Sequence, residues 1–249
     1  MNNIKKFMSE INKVFSTNLT KVRVGDKVDG GYVTLDELNK LTTMVYSAGI
    51  GDDVSFELDF KTRYPYTWSK MFDPTIEFAP VVADSIFYKT DIILGELEGN
   101  NNLLKMDIEY NEWETLHRWD EGILKSFSQI VVELHLIHVV PSHGRSPYFT
   151  GMYNTVYNRM NEELFGYYAN ALEWLNKHFY IYHIHPNNSL PKINLGGFSF
   201  PPLLEVSFVR KDLVSTCNGT PSFPQEGLDY PNKTDRPDIE NFYPIGAIC

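Results

Sequence analysis

Leu103-Leu104-Lys105-Met106-Asp107-Ile108-Glu109 is a short apolar run that breaks into alternating acids. An apolar stretch of this length suits a strand buried on both faces of a parallel sheet, and the acids mark where its carboxyl end meets a site. Glu112-Trp113 and a helical pattern near 112–126 follow directly, so the segment reads as a strand–loop–helix unit. In open α/β sheets ligands bind outside the carboxyl ends of the strands. Two further runs, 129–135 and 179–185, also end in titratable side chains: Glu133 and His135 in one, His183 and His185 in the other. Period-two geometry puts Glu133 and His135 on one face. Three strands that each deliver Asp, Glu or His to one rim predict an α/β protein with a chemical site there.

Upstream, Met44-Val45-Tyr46-Ser47-Ala48-Gly49-Ile50-Gly51-Asp52-Asp53 is a β-branched and aromatic strand running into a tight glycine turn. Asp52 or Asp53 suits the cap of a helix carrying Val54, Phe56 and Leu58. Free N–H groups at such a helix start face a polar ligand. About 20 residues on, Trp68-Ser69-Lys70-Met71-Phe72-Asp73-Pro74 reads as a second strand ending in an acid, the separation at which a carboxylate meets ribose hydroxyls. Further upstream, Asp29-Gly30-Gly31-Tyr32-Val33 allows positive φ and close backbone approach to a ligand, or alternatively a hairpin turn.

The remaining chain supplies the body. Residues 1–20 read as a surface helix whose apolar stripe, Ile4, Phe7, Met8 and Ile11, docks on the rest. Segment 91–98 has a helical look, and 139–152 reads as a loop long enough for a substrate lid. The pattern 153–179 is the longest helix, with Leu164, Tyr167, Tyr168, Ala171, Leu172 and Leu175 expected in the core. A further strand is expected at 203–209, and the Pro-rich polar tail 211–249 is expected to be irregular surface chain. No repeat or low-complexity linker divides the 249 residues, which favours one domain over 1–249.

A formal net charge of −10 argues against general affinity for nucleic acid or anionic membrane. No apolar run approaches the ~20 residues of a membrane span. The two cysteines, Cys217 and Cys249, make neither a metal-ligand spacing nor a disulfide framework. That suits a reducing cytoplasm.

The ordered set Tyr46-Ser47-Ala48-Gly49-Ile50-Gly51-Asp52, Phe72-Asp73-Pro74 and Leu104-Lys105-Met106-Asp107-Ile108-Glu109 with Glu112-Trp113 resembles S-adenosylmethionine-dependent methyltransferases of the FkbM-like group. The resemblance extends through Asp29-Gly30-Gly31-Tyr32-Val33 and, downstream, to 203–208. Here Tyr110-Asn111 stands where the family's motif continues Gly-x, and Ser47 where it often has an acid. The resemblance implies a Rossmann-like seven-stranded, mostly parallel sheet with helices on both faces and an antiparallel last strand, assigned to 203–209. It implies S-adenosyl-L-methionine as cofactor, approached by Gly49 and Gly51 with Asp52 beside them, and by Gly30, Gly31 and Tyr32. Asp73 would hold the ribose, and Asp107 would lie beside the methyl-transfer centre. The implied activity is O-methylation of a sugar hydroxyl on a small-molecule, sugar-nucleotide or glycan acceptor.

A sugar hydroxyl is a poor nucleophile and needs a base or a metal. Asp107, His135 and His185 are the candidates for both roles, since two histidines with one carboxylate form a known ligand set for a divalent ion. Glu133 is read as orienting His135 or Lys105. Two competing readings are a metal-dependent sugar-nucleotide transferase using Asp107 and Glu109, and a non-catalytic binding domain on the same scaffold.

Overall fold

The computed structural model describes residues 2–78, 80–95, 97, 99–136, 150–195, 197–217 and 223–240, with the side chains of 150–160, 216 and 217 outside that description. In chain order the elements are α1 (Asn2–Ile11), β1 (Ser16–Thr17), β2 (Lys21–Val24), β3 (Tyr32–Leu35), α2 (Asp36–Asn39), β4 (Met44–Ala48), α3 (Ser55–Arg63), β5 (Trp68–Phe72), β6 (Ser85–Tyr88) and β7 (Asn102–Met106). There follow α4 (Glu112–Arg118), α5 (Glu121–Lys125), β8 (Phe127–His135), α6 (Thr150–His178), β9 (Phe179–Pro186), β10 (Ile193–Leu195), β11 (Phe198–Phe200), β12 (Leu203–Arg210) and β13 (Thr216–Cys217).

Seven strands form one sheet in the order β6-β5-β4-β7-β8-β12-β9. All run parallel except β12, which pairs antiparallel with both β8 and β9. Counted along the chain this is 3-2-1-4-5-7-6, a doubly wound layout with one antiparallel strand inserted before the edge. The fold is α/β and Rossmann-like, with the antiparallel strand last in the chain as expected.

Alternation along the central strands feeds two layers. Tyr46, Leu104, Ile130 and Val132 pack on α1, α4, α5 and α6 through Phe7, Trp113, Leu124 and Phe165. Val45, Leu103 and Val131 face the other way, onto α3 and the β2–β3 hairpin through Phe56, Phe60, Val24 and Tyr32. Every residue of β7 and β8 is buried. On the hairpin side the inward positions change from apolar (Leu103, Val131) to ionisable (Lys105, Glu133) on approaching the carboxyl edge. The core therefore ends where the site begins.

Several expected details differ. Residues 91–98 form no helix among those described: Ile92 is buried while Ile93 is exposed, and Gly95 interrupts any stripe. The helix expected near 112–126 is two, because Trp119 is extended (ψ 130°) and Asp120 caps α5 by accepting from Ile123 N–H at 2.9 Å. Tyr167 lies outside the core, 37% exposed and stacked on His117; Phe165 fills the inward position instead. The helix expected over 1–20 stops at Ile11, and Ser16–Thr17 pairs with Thr216–Cys217. The lid expected at 139–152 lies outside the described residues up to 149. The tail is irregular, but its section 223–240 is no mere surface chain: Phe223, Asp229 and Asn232 are buried against the ends of β9 and β12.

Candidate functional site

Chain order reverses between β4 and β7. The chain leaves β4 outward through β5 and β6, then returns to β7 on the opposite side. The connections after β4 and β7 diverge there and leave a crevice, the usual ligand position in such sheets. A cavity of about 830 Å³ occupies it, walled by the turn Gly49-Ile50-Gly51, by Asp73 and Pro74 after β5, by Ile92, and by Asp107 and Glu109 after β7. This volume lies in the range of small-ligand pockets, ~300–1,000 Å³.

The glycine turn is set by close backbone packing. Gly49 sits at φ +71°, and a Cβ there would lie 1.6 Å from the Asp107 carbonyl oxygen. Gly49 N–H donates to Phe72 O, and Asp107 N–H donates to Ala48 O, both at 2.9 Å. Lys105 Nζ donates to Gly49 O at 2.7 Å. Three strand ends are thus laced together at one point. Asp73 completes the lacing: Oδ2 accepts from Gly51 N–H at 2.9 Å, and Oδ1 from Thr75 N–H at 2.7 Å and Thr75 Oγ1 at 2.6 Å. Burial pushes the Asp73 carboxyl up, but these donors outweigh it and hold it below the usual range. The Ile76 backbone N–H adds to these donors, and the carboxylate lines the cavity.

The residues expected to approach a cofactor are placed in two shells. Gly30, Gly49, Gly51, Asp52, Asp73 and Asp107 line the cavity. Gly31 and Tyr32 stand behind it, because the glycine pair closes the β2–β3 hairpin. A Cβ on Gly31 would fall 2.0 Å from Asp26 O. Buried Tyr32 donates its hydroxyl to Asp107 Oδ2 at 3.4 Å. Burial and then the neighbouring Asp107 push that phenol well above its ordinary value.

Behind the cavity wall, which Asp107 lines, half-buried Asp107 meets buried Glu133 and His135, one donor atom from each lying within 4.8 Å of the others. His135 Nδ1 is 3.1 Å from Glu112 Oε1, and its Nε2 is 3.3 Å from Glu109 Oε2 and 3.6 Å from Glu133 Oε2. Glu112 is itself fixed, accepting Ile108 N–H at 2.9 Å. The Tyr110 ring tilts over the imidazole, centroids 5.3 Å apart. Glu109 and Tyr110 have φ of +48° and +85°, a left-handed pair without glycine at the mouth of the site. Such backbone stores strain and clusters at functional sites.

The electrostatics of this group are mutual. Burial alone would lower the His135 imidazole, but Glu112, then Glu133 and Asp107, raise it to about 9. Burial raises Asp107, against Lys105 and His135, which favour its charged form. Burial and then Asp107 push Glu133 well above the carboxylate range, and Asn187 Nδ2 donates to its Oε1 at 2.6 Å.

The trio read from the sequence was Asp107, His135 and His185. The described residues bring Asp107 and His135 together with Glu133, and they hold His185 elsewhere. Its Nδ1 lies 3.1 Å from Glu205 Oε2 and its Nε2 3.1 Å from Asp238 Oδ2. β12 inserts between β8 and β9, so His185 stands one strand further from Asp107. His183 pairs with Asp229 at 2.7 Å. Glu112 belongs to the Glu112-Trp113 pair quoted after the strand, but no role is legible for it there. Two other participants lack a clear sequence signal: Glu205 is an acid inside an apolar strand, and Asp238 lies in the unpatterned tail. Glu133 did carry one, its shared parity with His135.

No protein-family model matches the chain, and no curated protein matches it. Solved structures similar to it include the plantazolicin methyltransferase in complex with SAH, at 14% identity and TM-score 0.35 over 84% of this chain and 85% of that one. Another is a variant of the 16S rRNA (adenine(1408)-N(1))-methyltransferase from Catenulisporales acidiphilia, at 10% identity and TM-score 0.35 over 80% and 99%. A third is mitomycin 7-O-methyltransferase, at 13% identity and TM-score 0.30 over 70% of this chain; the chain spans about half (53%) of that protein's length. Among the described residues no helix is long and apolar enough to cross a membrane. At these scores the structural likenesses fix neither activity nor acceptor, which leaves the crevice itself to carry the reading.

Proposed function

We propose that the chain is an S-adenosyl-L-methionine-dependent O-methyltransferase acting on a hydroxyl of a sugar or glycan precursor. The observation that carries this reading is the glycine turn pinned to Asp73 at the switch-point cavity. In it, Gly49 lets the backbone close on β7, Asp73 fixes the turn through Gly51 N–H and lines the cavity, and Ile50, Pro74 and Ile92 offer apolar surface for a base ring. That combination suits a nucleoside better than a pyrophosphate, because acids (Asp52, Asp53, Asp73, Asp91) surround the turn. A sulfonium cation is compatible with them. A diphosphate is not.

Methyl transfer is an in-line displacement. Bound in the cavity, S-adenosylmethionine would supply an electrophilic methyl group, whose transfer to the acceptor oxygen would leave the carbon–sulfur electron pair on sulfur as a neutral thioether. The hydroxyl proton passes to a carboxylate on the cavity wall, Asp107 or Glu109, with Glu133 and His135 behind them. A carboxyl group raised by burial is a better proton acceptor than an ordinary one. Tyr32 and Glu112 position this group from behind.

Differential scanning fluorimetry and calorimetry with S-adenosylmethionine and S-adenosylhomocysteine test the cofactor. A ligand that binds only the folded state raises Tm, by ~2.7 kcal/mol of stability at a hundredfold excess over Kd. Asp73→Asn should weaken binding about 10–100-fold, the loss of a charge-assisted hydrogen bond. If neither compound shifts Tm or releases heat at millimolar concentration, the reading fails.

A further inference from the structure

We infer that Asp107, Glu133 and His135 form a binding site for one divalent metal ion, of the kind taken by mixed carboxylate–imidazole donors such as Mn²⁺ or Zn²⁺. The inference deepens the proposed methyl transfer and rests on it only for what the ion does, not for whether it binds.

Two independent features support an ion here. The first is the donor set. Two carboxylates and one imidazole present atoms within 4.8 Å of one another. Donors about 2.0–2.2 Å from a shared ion stand up to ~4.4 Å apart, so a small side-chain adjustment closes the set. Oxygen donors with one imidazole nitrogen suit borderline divalent ions, Mn²⁺ and Zn²⁺ among them.

The second is the support behind the histidine. A ligating imidazole needs its far nitrogen protonated and held, so that the near nitrogen presents a lone pair. Glu112 does this: its side chain is fully buried, anchored by Ile108 N–H, and set 3.1 Å from His135 Nδ1. That directs Nε2 toward Glu109 and Glu133. Glu112 Oε2 is buried without a hydrogen-bond partner, so the carboxylate is held there at some electrostatic expense. Four carboxylates (Asp107, Glu109, Glu112, Glu133) crowd this point against Lys105 and the imidazole. Lys105 Nζ is already engaged by Gly49 O at 2.7 Å. A dication balances that excess.

The position has a chemical consequence. Asp107 belongs both to the donor set and to the cavity wall, so the ion would lie at that wall, where the acceptor hydroxyl must sit. Bound to the ion, the hydroxyl becomes acidic at neutral pH. Its proton leaves to Glu109, whose side chain is 76% exposed and can return it to solvent.

The test uses the full chain, stripped with chelator and titrated calorimetrically with MnCl₂ and with ZnCl₂, with Mn²⁺ electron paramagnetic resonance as a second readout. One ion per chain is expected, with imidazole nitrogen coupling in the resonance signal. Asp107→Asn and Glu133→Gln should weaken binding at least tenfold, and Glu112→Gln about 10–100-fold. Circular dichroism checks that each variant is folded; should one fail, the nitrogen coupling and stoichiometry of the unmodified chain decide. No saturable binding up to millimolar ion, or binding unchanged in folded Asp107→Asn and Glu133→Gln, overturns the site. S-adenosylhomocysteine binding is measured separately. Ion binding without it removes the methyltransferase reading and keeps the ion site; nucleoside binding without an ion does the reverse.

Discussion

Two histidines on neighbouring parts of one sheet edge have nearly the same surroundings and differ in the exposure of their outer carboxylates. His135 ends β8 with Glu112 on Nδ1 and with Glu109 and Glu133 on Nε2. His185 near the end of β9 has Glu205 on Nδ1 and Asp238 on Nε2. Both rings are buried and both are raised, to about 9 and about 10, by carboxylates that outweigh the effect of burial. What differs is the outer carboxylate. Glu109 is 76% exposed beside the cavity, whereas Asp238 is 17% exposed and lies in a tail stapled down by Asn188 and Asn232. A buried imidazole between carboxylates is therefore not by itself a catalytic signature. What sets the two apart is that Glu109, the outer carboxylate of His135, lines the cavity, whereas Asp238, the outer carboxylate of His185, does not.

The comparison can be broken most directly at Asp107. Asp107→Asn should lower turnover by about 10²–10⁴, the usual range for removing a proton-transfer group, with little change in Tm. A variant of normal activity would move the chemistry away from this wall. His185→Ala is the converse: it removes the imidazole between the Glu205 and Asp238 carboxylates and should lower stability by about 3–5 kcal/mol in denaturant unfolding. Cofactor affinity in the remaining folded protein should be unchanged. Loss of affinity would return His185 to the site.

Solution pH sharpens the contrast. The folded-state pKa of His185 is raised to about 10 from an ordinary 6.5, so the folded protein holds that proton more tightly than the unfolded chain does. Its contribution to stability is complete below about pH 6.5 and is lost as pH rises through about 10. Urea midpoints measured from pH 6 to 10 should fall, and His185→Gln should flatten that fall. The smallest effect belongs to Tyr110. At φ +85°, replacement by Gly relieves backbone strain worth about 1–2 kcal/mol but gives up the ring over His135, so a net change within about 1 kcal/mol is expected. A large loss would mean that the ring holds His135 in place.

Legibility in the sequence followed the range of the interactions. β4, β5 and β7 could be read because their apolar runs, glycine turn and terminal acids are all local signals, and the cavity wall at Gly49, Gly51, Asp73 and Asp107 came with them. The acid Glu133 was visible but assigned a supporting part, since nothing local says which of two residues of equal parity faces a third strand. His185 was misplaced by one strand because terminal histidines mark strand ends, not the number of strands between them. Glu205 pairs in register with both Glu133 and His185, yet in sequence it is one acid in an apolar strand. The partners Asp229 and Asp238 come from a tail without period, where only the fold brings them near β9.

The placement of β12 also divides this region along the sequence. The cavity walls, from Asp29 to Arg118, all come from the first half of the 249 residues. The polar residues beyond Glu133 are Asn187, Glu205 and Asn232, all from far later in the sequence. The hairpin shared by both is tied by contacts of very long sequence separation, such as Tyr182 Oη and Ser207 Oγ donating to Val33 O at 3.0 and 2.7 Å. Such contacts form late, because loop closure precedes their reward. The crevice wall and the strand β12 that pairs with Glu133 therefore come from parts of the chain far apart in sequence, and only long-range pairing brings them together.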